Sequence, residues 1–190
     1  MSEEEVVWFC APTLAGIKTG SLFNTVFSDH KQEVDEICRL NQKLVPKGMR
    51  ALPLGTCRGR LLLYVYRPAR LEKDLSDKRC WEVLKALGYE EHSCDQCVIH
   101  LIERVRESKE FPHEIGFFLG YPAEDVIYFM ENKEGRKHHN PQYIGMWQAY
   151  ANAEEAEKTD KQYHRCTAYC MDAIKNGRSM DQLLYADPEK

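Results

Sequence analysis

A mixed α+β domain, with a single mixed sheet of about five strands packed by helices, is the fold class the sequence predicts. Three observations predict it. Short β-branched or aromatic runs are interspersed with longer stretches that repeat apolar residues at helical spacing. Two neighbouring runs, 49–54 and 60–66, flank Gly55-Thr56-Cys57-Arg58-Gly59 and read as an antiparallel hairpin. No repeat, low-complexity linker or shift of composition divides the 190 residues, so 1–190 reads as one globular domain.

The elements follow in order. Residues 5–10 form a short apolar run before Pro12 and predict a buried strand; residues 11–28 predict a long turn-rich stretch. Asp29, with Gln32 three residues on, opens a helix carrying Val34, Ile37, Leu40 and Leu44 on one stripe, and Gly48 stops it. This first β-α-β unit suits a right-handed parallel crossover. In the hairpin, residues 61–66 are apolar on both faces, which suits a central strand. Residues 71–87 predict one helix closed by Gly88, and Ser93 with Gln96 caps the next. Residues 113–119 predict a strand, after which Pro122 stands at the first turn of a helix with Glu124 and Asp125 beside its positive end. Residues 143–150 predict a weaker strand. The last long helix starts at Asn152, with Glu155 completing a capping box, and ends at Gly177.

Composition excludes several classes. With 43% hydrophobic and 11% aromatic residues the chain can bury a sizeable core, so disorder is excluded. A net charge of −4 disfavours a nucleic-acid or anionic-membrane binder. The opening Met1-Ser2-Glu3-Glu4-Glu5 is acidic where a secretory signal is basic, and no apolar run approaches the ~20 residues of a membrane span. These features predict a cytoplasmic protein whose eight cysteines are reduced.

Four stretches carry residues with chemical potential. His92-Ser93-Cys94-Asp95-Gln96-Cys97 holds a Cys-x-x-Cys, but both thiols share a stripe with Leu101 and Val105, which reads as structural. Cys166 and Cys170, spaced i,i+4, face one way and suit a shared metal or a redox pair as well as they suit a packed helix face. Thr13, Lys18 and Ser21, in and around Gly16-Ile17-Lys18-Thr19-Gly20, suit an anion site made of backbone amides and one ammonium. In residues 111–125, His113 and Glu114 precede an apolar run, and Gly120-Tyr121-Pro122 follows it at a helix start, the strand-end geometry where α/β proteins bind ligands.

Cys10-Ala11-Pro12-Thr13 and its continuation to Phe23, Leu63-Tyr64-Val65-Tyr66-Arg67-Pro68, Phe111-Pro112-His113-Glu114-Ile115-Gly116 and its continuation to Asp125, and Cys166-Thr167-Ala168-Tyr169-Cys170 together resemble an uncharacterised bacterial family, DUF3793. Its members come largely from anaerobic Gram-positive bacteria. The resemblance implies one domain and supplies no activity. It places Cys10, Lys18, His113, Glu114, Tyr121, Asp125, Cys166 and Cys170 on family motifs and leaves Cys94 and Cys97 off them. Phe9 stands where relatives often carry histidine, and extra cysteines that many relatives carry near Trp147 are absent.

The resulting expectation is a small-ligand or anion site at the strand ends, with thiol-dependent chemistry as its sharpest form. Cys10 would be the nucleophile, His113 and Glu114 the acid–base groups, and Thr13, Lys18, Tyr121 and Asp125 the ligand-binding groups. A different class keeps the same thiols as ligands: a non-catalytic iron, zinc or redox protein using Cys166 and Cys170, with Cys10 and His113. A third is an interaction module with an aromatic surface. The sequence names no cofactor.

Overall fold

The computed structural model describes residues 1–57, 59–90, 93–107 and 110–186; Arg58 of the hairpin turn and His92 before the Cys-x-x-Cys lie outside them. Its centre is a three-stranded antiparallel sheet in the order β1-β3-β2, formed by β1 (Gly20–Thr25), β2 (Arg50–Cys57) and β3 (Arg60–Tyr66). The expected hairpin is β2–β3, and the strand that is apolar on both faces lies in the middle, with Leu63 opposite Phe23 on one side and Pro53 on the other. The single five-stranded sheet with a parallel crossover is corrected: the described strands make this sheet and a separate two-stranded ribbon, both antiparallel.

Alternation along β3 divides the core in two. Leu61, Leu63 and Val65 face α1 (Glu3–Leu14), α2 (His30–Leu44) and the C-terminal half of α8 (Ala153–Lys175). Leu62, Tyr64 and Tyr66 face α3 (Pro68–Leu75), α4 (Lys78–Ala86), α5 (Cys94–Glu107), α6 (Ile115–Phe118) and α7 (Ala123–Lys133). A helix layer therefore covers each side of the sheet. The ribbon, β4 (Tyr143–Ile144) with β5 (Gln148–Ala149), replaces the one strand expected over 143–150.

Two expected strands are helical. Residues 5–10 lie in α1, whose N-terminus Ser2 caps by accepting from the Glu5 amide while Glu3, Glu4 and Glu5 meet the positive dipole end. The run lacks a polar stripe because its exposed positions, Trp8 and Phe9, are themselves aromatic, which hides the helical spacing of buried Val6, Val7, Cys10, Ala11 and Leu14. Residues 113–119 form a turn and α6, which ends as a Schellman motif: the Tyr121 amide reaches the Gly116 carbonyl at 3.0 Å, and the Gly120 amide reaches Phe117 at 3.1 Å. Gly120 makes this turn possible, with φ of 77°. The stretch 71–87 breaks into α3 and α4 because the Asp77 carboxylate accepts from the Arg79 amide at 2.8 Å and starts a second helix. The turn-rich stretch 11–28 holds the end of α1 and the edge strand β1.

The capped helices lie where expected. Asp29 accepts from the Gln32 amide at 2.9 Å, Ser93 from Gln96 at 3.3 Å and Asn152 from Glu155 at 3.1 Å. None of the helices among the described residues is long and apolar enough to cross a membrane.

Candidate functional site

Thr13, Lys18 and Cys10 are turned inward at the joint between α1 and β1. Because a helix precedes residues 15–19, the loop amides are spent on it: Ile17 and Lys18 donate to the Pro12 carbonyl at 2.9 and 3.1 Å. The carbonyls there face cations. Buried Arg67 donates to Thr13 O at 2.7 Å and Leu14 O at 2.8 Å, and Arg70 to Gly16 O at 2.6 Å, which neutralises the negative end of α1. Thr13 and Ser21 hydroxyls bond each other at 2.9 Å.

Lys18 is 4% exposed, and its ammonium donates to the carbonyls of Gly20 and Leu119 and lies 5.0 Å from the centre of the Tyr121 ring. It has no carboxylate partner among the described residues. Burial brings its pKa down to about 7. Cys10 is fully buried, and burial pushes its thiol well above the ordinary range, against smaller lowering effects from Lys18 and Ser21. A thiol in that state supplies little thiolate.

Glu114 and His113 point to different places. Glu114 is buried and accepts from Arg104 Nε of α5 and from the Tyr89 hydroxyl at 3.4 Å, so it clamps α6 to α5. His113 sits edge-on to Phe129, with ring centres 5.2 Å apart. It lines an apolar groove of about 360 Å³ with Phe111, Ile115, Leu119, Ile144 and Met146, a lining that contains neither Cys10 nor Cys166. The Cys166 and Cys170 thiols share a hydrogen bond, which holds the Cys166 thiol up, and both pack into the α1 side of the core. Among the described residues no group of three or more His, Cys, Asp or Glu side chains could hold a metal ion. The Cys94 thiol, on the other side of the sheet, is pushed up to about 12, chiefly by burial.

Tyr121 and Asp125 belong to a different construction. Asp125, 3% exposed, accepts from Trp147 Nε1 and the Tyr150 amide at 2.8 Å and from the Ala151 amide at 3.1 Å. Asp160 of α8, also buried, accepts from the Tyr143 hydroxyl at 2.7 Å and the Met146 amide at 3.1 Å. Two buried aspartates thus hold the β4–β5 ribbon between α7 and α8. The ribbon carries Trp147, which stacks on Tyr121 at 5.2 Å.

This stack borders a cleft of about 550 Å³, lined by residues of α3, α4, α7, α8 and the 120–122 turn. Its walls are Tyr121, Trp147 and Tyr163. Asp74, in the last turn of α3, is half-buried in it. One Asp74 oxygen, Oδ2, accepts from the Thr19 hydroxyl, whereas Oδ1 accepts no hydrogen bond and the carboxylate makes no ion pair among the described residues. Burial raises the Asp74 pKa against the lowering effects of Thr19, Arg70 and Lys73.

The other acids of the cleft have structural partners. Asp77 caps α4 and pairs with Arg79 at 2.8 Å. Glu124 sits in the first turn of α7, where the dipole favours it, and accepts from the Tyr128 hydroxyl at 2.8 Å. Glu155 occupies the first turn of α8 and lies 3.4 Å from Lys158. Asp74 stands at the opposite, negative end of its helix.

A family model described as "Protein of unknown function (DUF3793)" matches residues 6–184. The chain belongs to the DUF3793 family. No curated protein and no solved structure matches it. In this DUF3793 chain the 111–125 motif supplies a wall of both cavities, through Phe117 and residues 120–125 on the cleft and through His113, Ile115, Gly116 and Leu119 on the groove. Gly116 is small because an added Cβ would lie 2.7 Å from Val126, so it serves packing of α6 on α7.

Sequence reasoning missed Asp74, Trp147, Tyr163 and Asp160. The sequence places Asp74 inside one helix expected over 71–87 and marks it with no motif. The break at Ser76-Asp77, with Asp as a helix cap, was the signal that would have put Asp74 at a helix C-terminus.

Proposed function

We propose that this protein binds a small ligand in the 550 Å³ cleft between α3, α4, α7 and α8, with Asp74 as the polar anchor and Tyr121, Trp147 and Tyr163 as the walls. The observation that carries this reading is the cost of Asp74. A carboxylate at the negative end of a helix and partly desolvated weakens the fold. Costly groups of this kind concentrate at functional sites. The cleft volume falls in the range of small-molecule sites, and its lining combines four aromatic rings with seven charged side chains.

The anion expected at Lys18 finds less support, because that ammonium is covered by Tyr121 and faced by carbonyls. Thiol chemistry at Cys10 also finds less support, because that thiol is buried and protonated.

A thermal-shift screen of small metabolites tests the proposal on three proteins: wild type, Asp74→Asn and Ile144→Asp. Compounds that raise the wild-type midpoint should lose their effect in Asp74→Asn and keep it in Ile144→Asp, which alters only the neighbouring groove. Compounds that act equally on wild type and Asp74→Asn, and fail on Ile144→Asp, would move the site to the groove.

A further inference from the structure

Resting on the cleft as the binding site, we infer that its ligand is a small organic cation bearing a protonated amine, with the ammonium seated against Asp74 Oδ1. Three observations converge on that charge. Asp74 lines the cleft and its Oδ1 accepts no hydrogen bond among the described residues, so the carboxylate has acceptor capacity left for a donor, and a charged donor gives the stronger bond. No side chain on the described residues supplies that donor. Arg79 is held by Asp77 at 2.8 Å and lies 3.8 Å from Glu124, and Lys73, one residue from Asp74, makes no ion pair with it.

The surroundings have the matching character. Trp147 and Tyr163 add aromatic surface to the lining, and such π-systems attract cations, while the Tyr121 ring is engaged by stacked Trp147 and by Lys18. Asp77, Glu124 and Glu155 also line the cleft, against two cationic residues, Lys73 and Arg79. Cavities lined by an excess of one sign concentrate ligands of the other. An anionic ligand would meet four carboxylates besides Asp125 against Lys73 and an Arg79 already held by Asp77, while Lys18 lies behind Tyr121.

Charge can be varied while shape is kept. Phenethylammonium, 2-phenylethanol and phenylacetate share a ring and differ in charge. Each is titrated to millimolar concentration into the full chain while the Trp147 indole N–H resonance, assigned with Trp147→Phe, is followed by NMR. Phenethylammonium should shift this resonance saturably and bind roughly tenfold tighter than the alcohol or the acid, since a carboxylate–ammonium contact with partial desolvation exceeds an exposed pair. Asp74→Asn should bring the ammonium down to the alcohol's affinity and leave the alcohol unchanged.

Equal binding of all three, or tighter binding of phenylacetate, would overturn the cationic class and leave the cleft as a site. A Trp147 shift on phenethylammonium that Asp74→Asn leaves intact would overturn the role of Asp74. Silence of the Trp147 resonance towards all three, in a protein whose other resonances stay dispersed, would overturn the cleft itself. Displacement of phenethylammonium by millimolar magnesium chloride but not by sodium chloride of equal ionic strength would overturn the organic cation in favour of a divalent ion.

Discussion

Replacing Asp74 by asparagine should stabilise the protein at neutral pH, an outcome unusual for removing a half-buried, hydrogen-bonded carboxylate. The asparagine oxygen can still accept from Thr19, so that bond survives in neutral form. The gain comes from removing a negative charge at the negative end of α3, about 0.3–1 kcal/mol. Relief of the burial cost that raises its pKa adds to this in the same direction. The new amide N–H₂ faces the open cleft, where water satisfies it. For a chain of this size the dipole part alone raises the thermal midpoint by about 1–4 °C.

The pH dependence gives the sign a second check. A carboxyl whose folded pKa lies above its ordinary 3.8 destabilises the fold once ionised, and this penalty grows as pH rises through and above that range. The advantage of Asp74→Asn should therefore be full near neutrality, shrink as the solution is acidified, and be smallest well below 3.8, where wild-type Asp74 is protonated in both states. Scanning calorimetry of the two proteins across this window measures it. Asp77, three residues on, is the internal contrast: it caps α4, and Arg79 holds its carboxyl below the usual range. Asp77→Ala should cost about 1 kcal/mol at neutral pH. If Asp74→Asn instead lowers the midpoint at neutral pH as much as Asp77→Ala does, Asp74 is a structural acceptor for Thr19 and the case for a site there collapses.

Three other perturbations report on the frame around the cleft. Lys18→Met keeps the buried stem and removes an amine whose pKa falls from 10.5 to about 7, so between these values the unfolded chain binds the extra proton; wild type should gain stability relative to the variant as pH rises through this window, in paired denaturant titrations. Arg104→Met leaves Glu114 buried without its cation and should cost about 3 kcal/mol in urea unfolding, with Glu114→Gln in the same chain restoring much of the loss. Gly120→Ala forces a left-handed backbone on alanine, about 1–2 kcal/mol, and drives its Cβ to within 2.7 Å of Thr19, so the midpoint should fall by several degrees; a neutral result would mean that the turn can relax without its Schellman geometry.

How far the sequence disclosed this arrangement depends on the range over which each feature is determined. Helix starts are set within four residues, so Asp29, Ser93 and Asn152 marked theirs, and the hairpin turn with its two-faced second strand marked the centre of the sheet. Residues 5–10 and 113–119 misled because short apolar runs have no usable period: α1 carries the aromatics Trp8 and Phe9 on its exposed face, and α6 is a single turn with every residue buried. Thiol reactivity was beyond local reading for a related reason. Cys10 is a nucleophile or an inert core group according to burial, which the core on the α1 side of the sheet decides and its neighbours in sequence do not.

The cleft is the longest-range feature and was the least legible. Tyr121 was visible beside Gly120 and Pro122, but Asp74, Trp147 and Tyr163 come from a helix end, a ribbon and a second helix. What joins them is a pair of buried aspartates that pin the ribbon to two helices. Asp125 read as a ligand-binding residue because an acid at a helix start is conspicuous in a sequence, yet its acceptors hold Trp147 and the 150–151 backbone in place. Asp74, inside one expected helix, is marked by no motif. Asp125 has its bonds made within the chain, whereas Asp74 Oδ1 accepts none among the described residues, and this difference is what supports Asp74 as the proposed anchor.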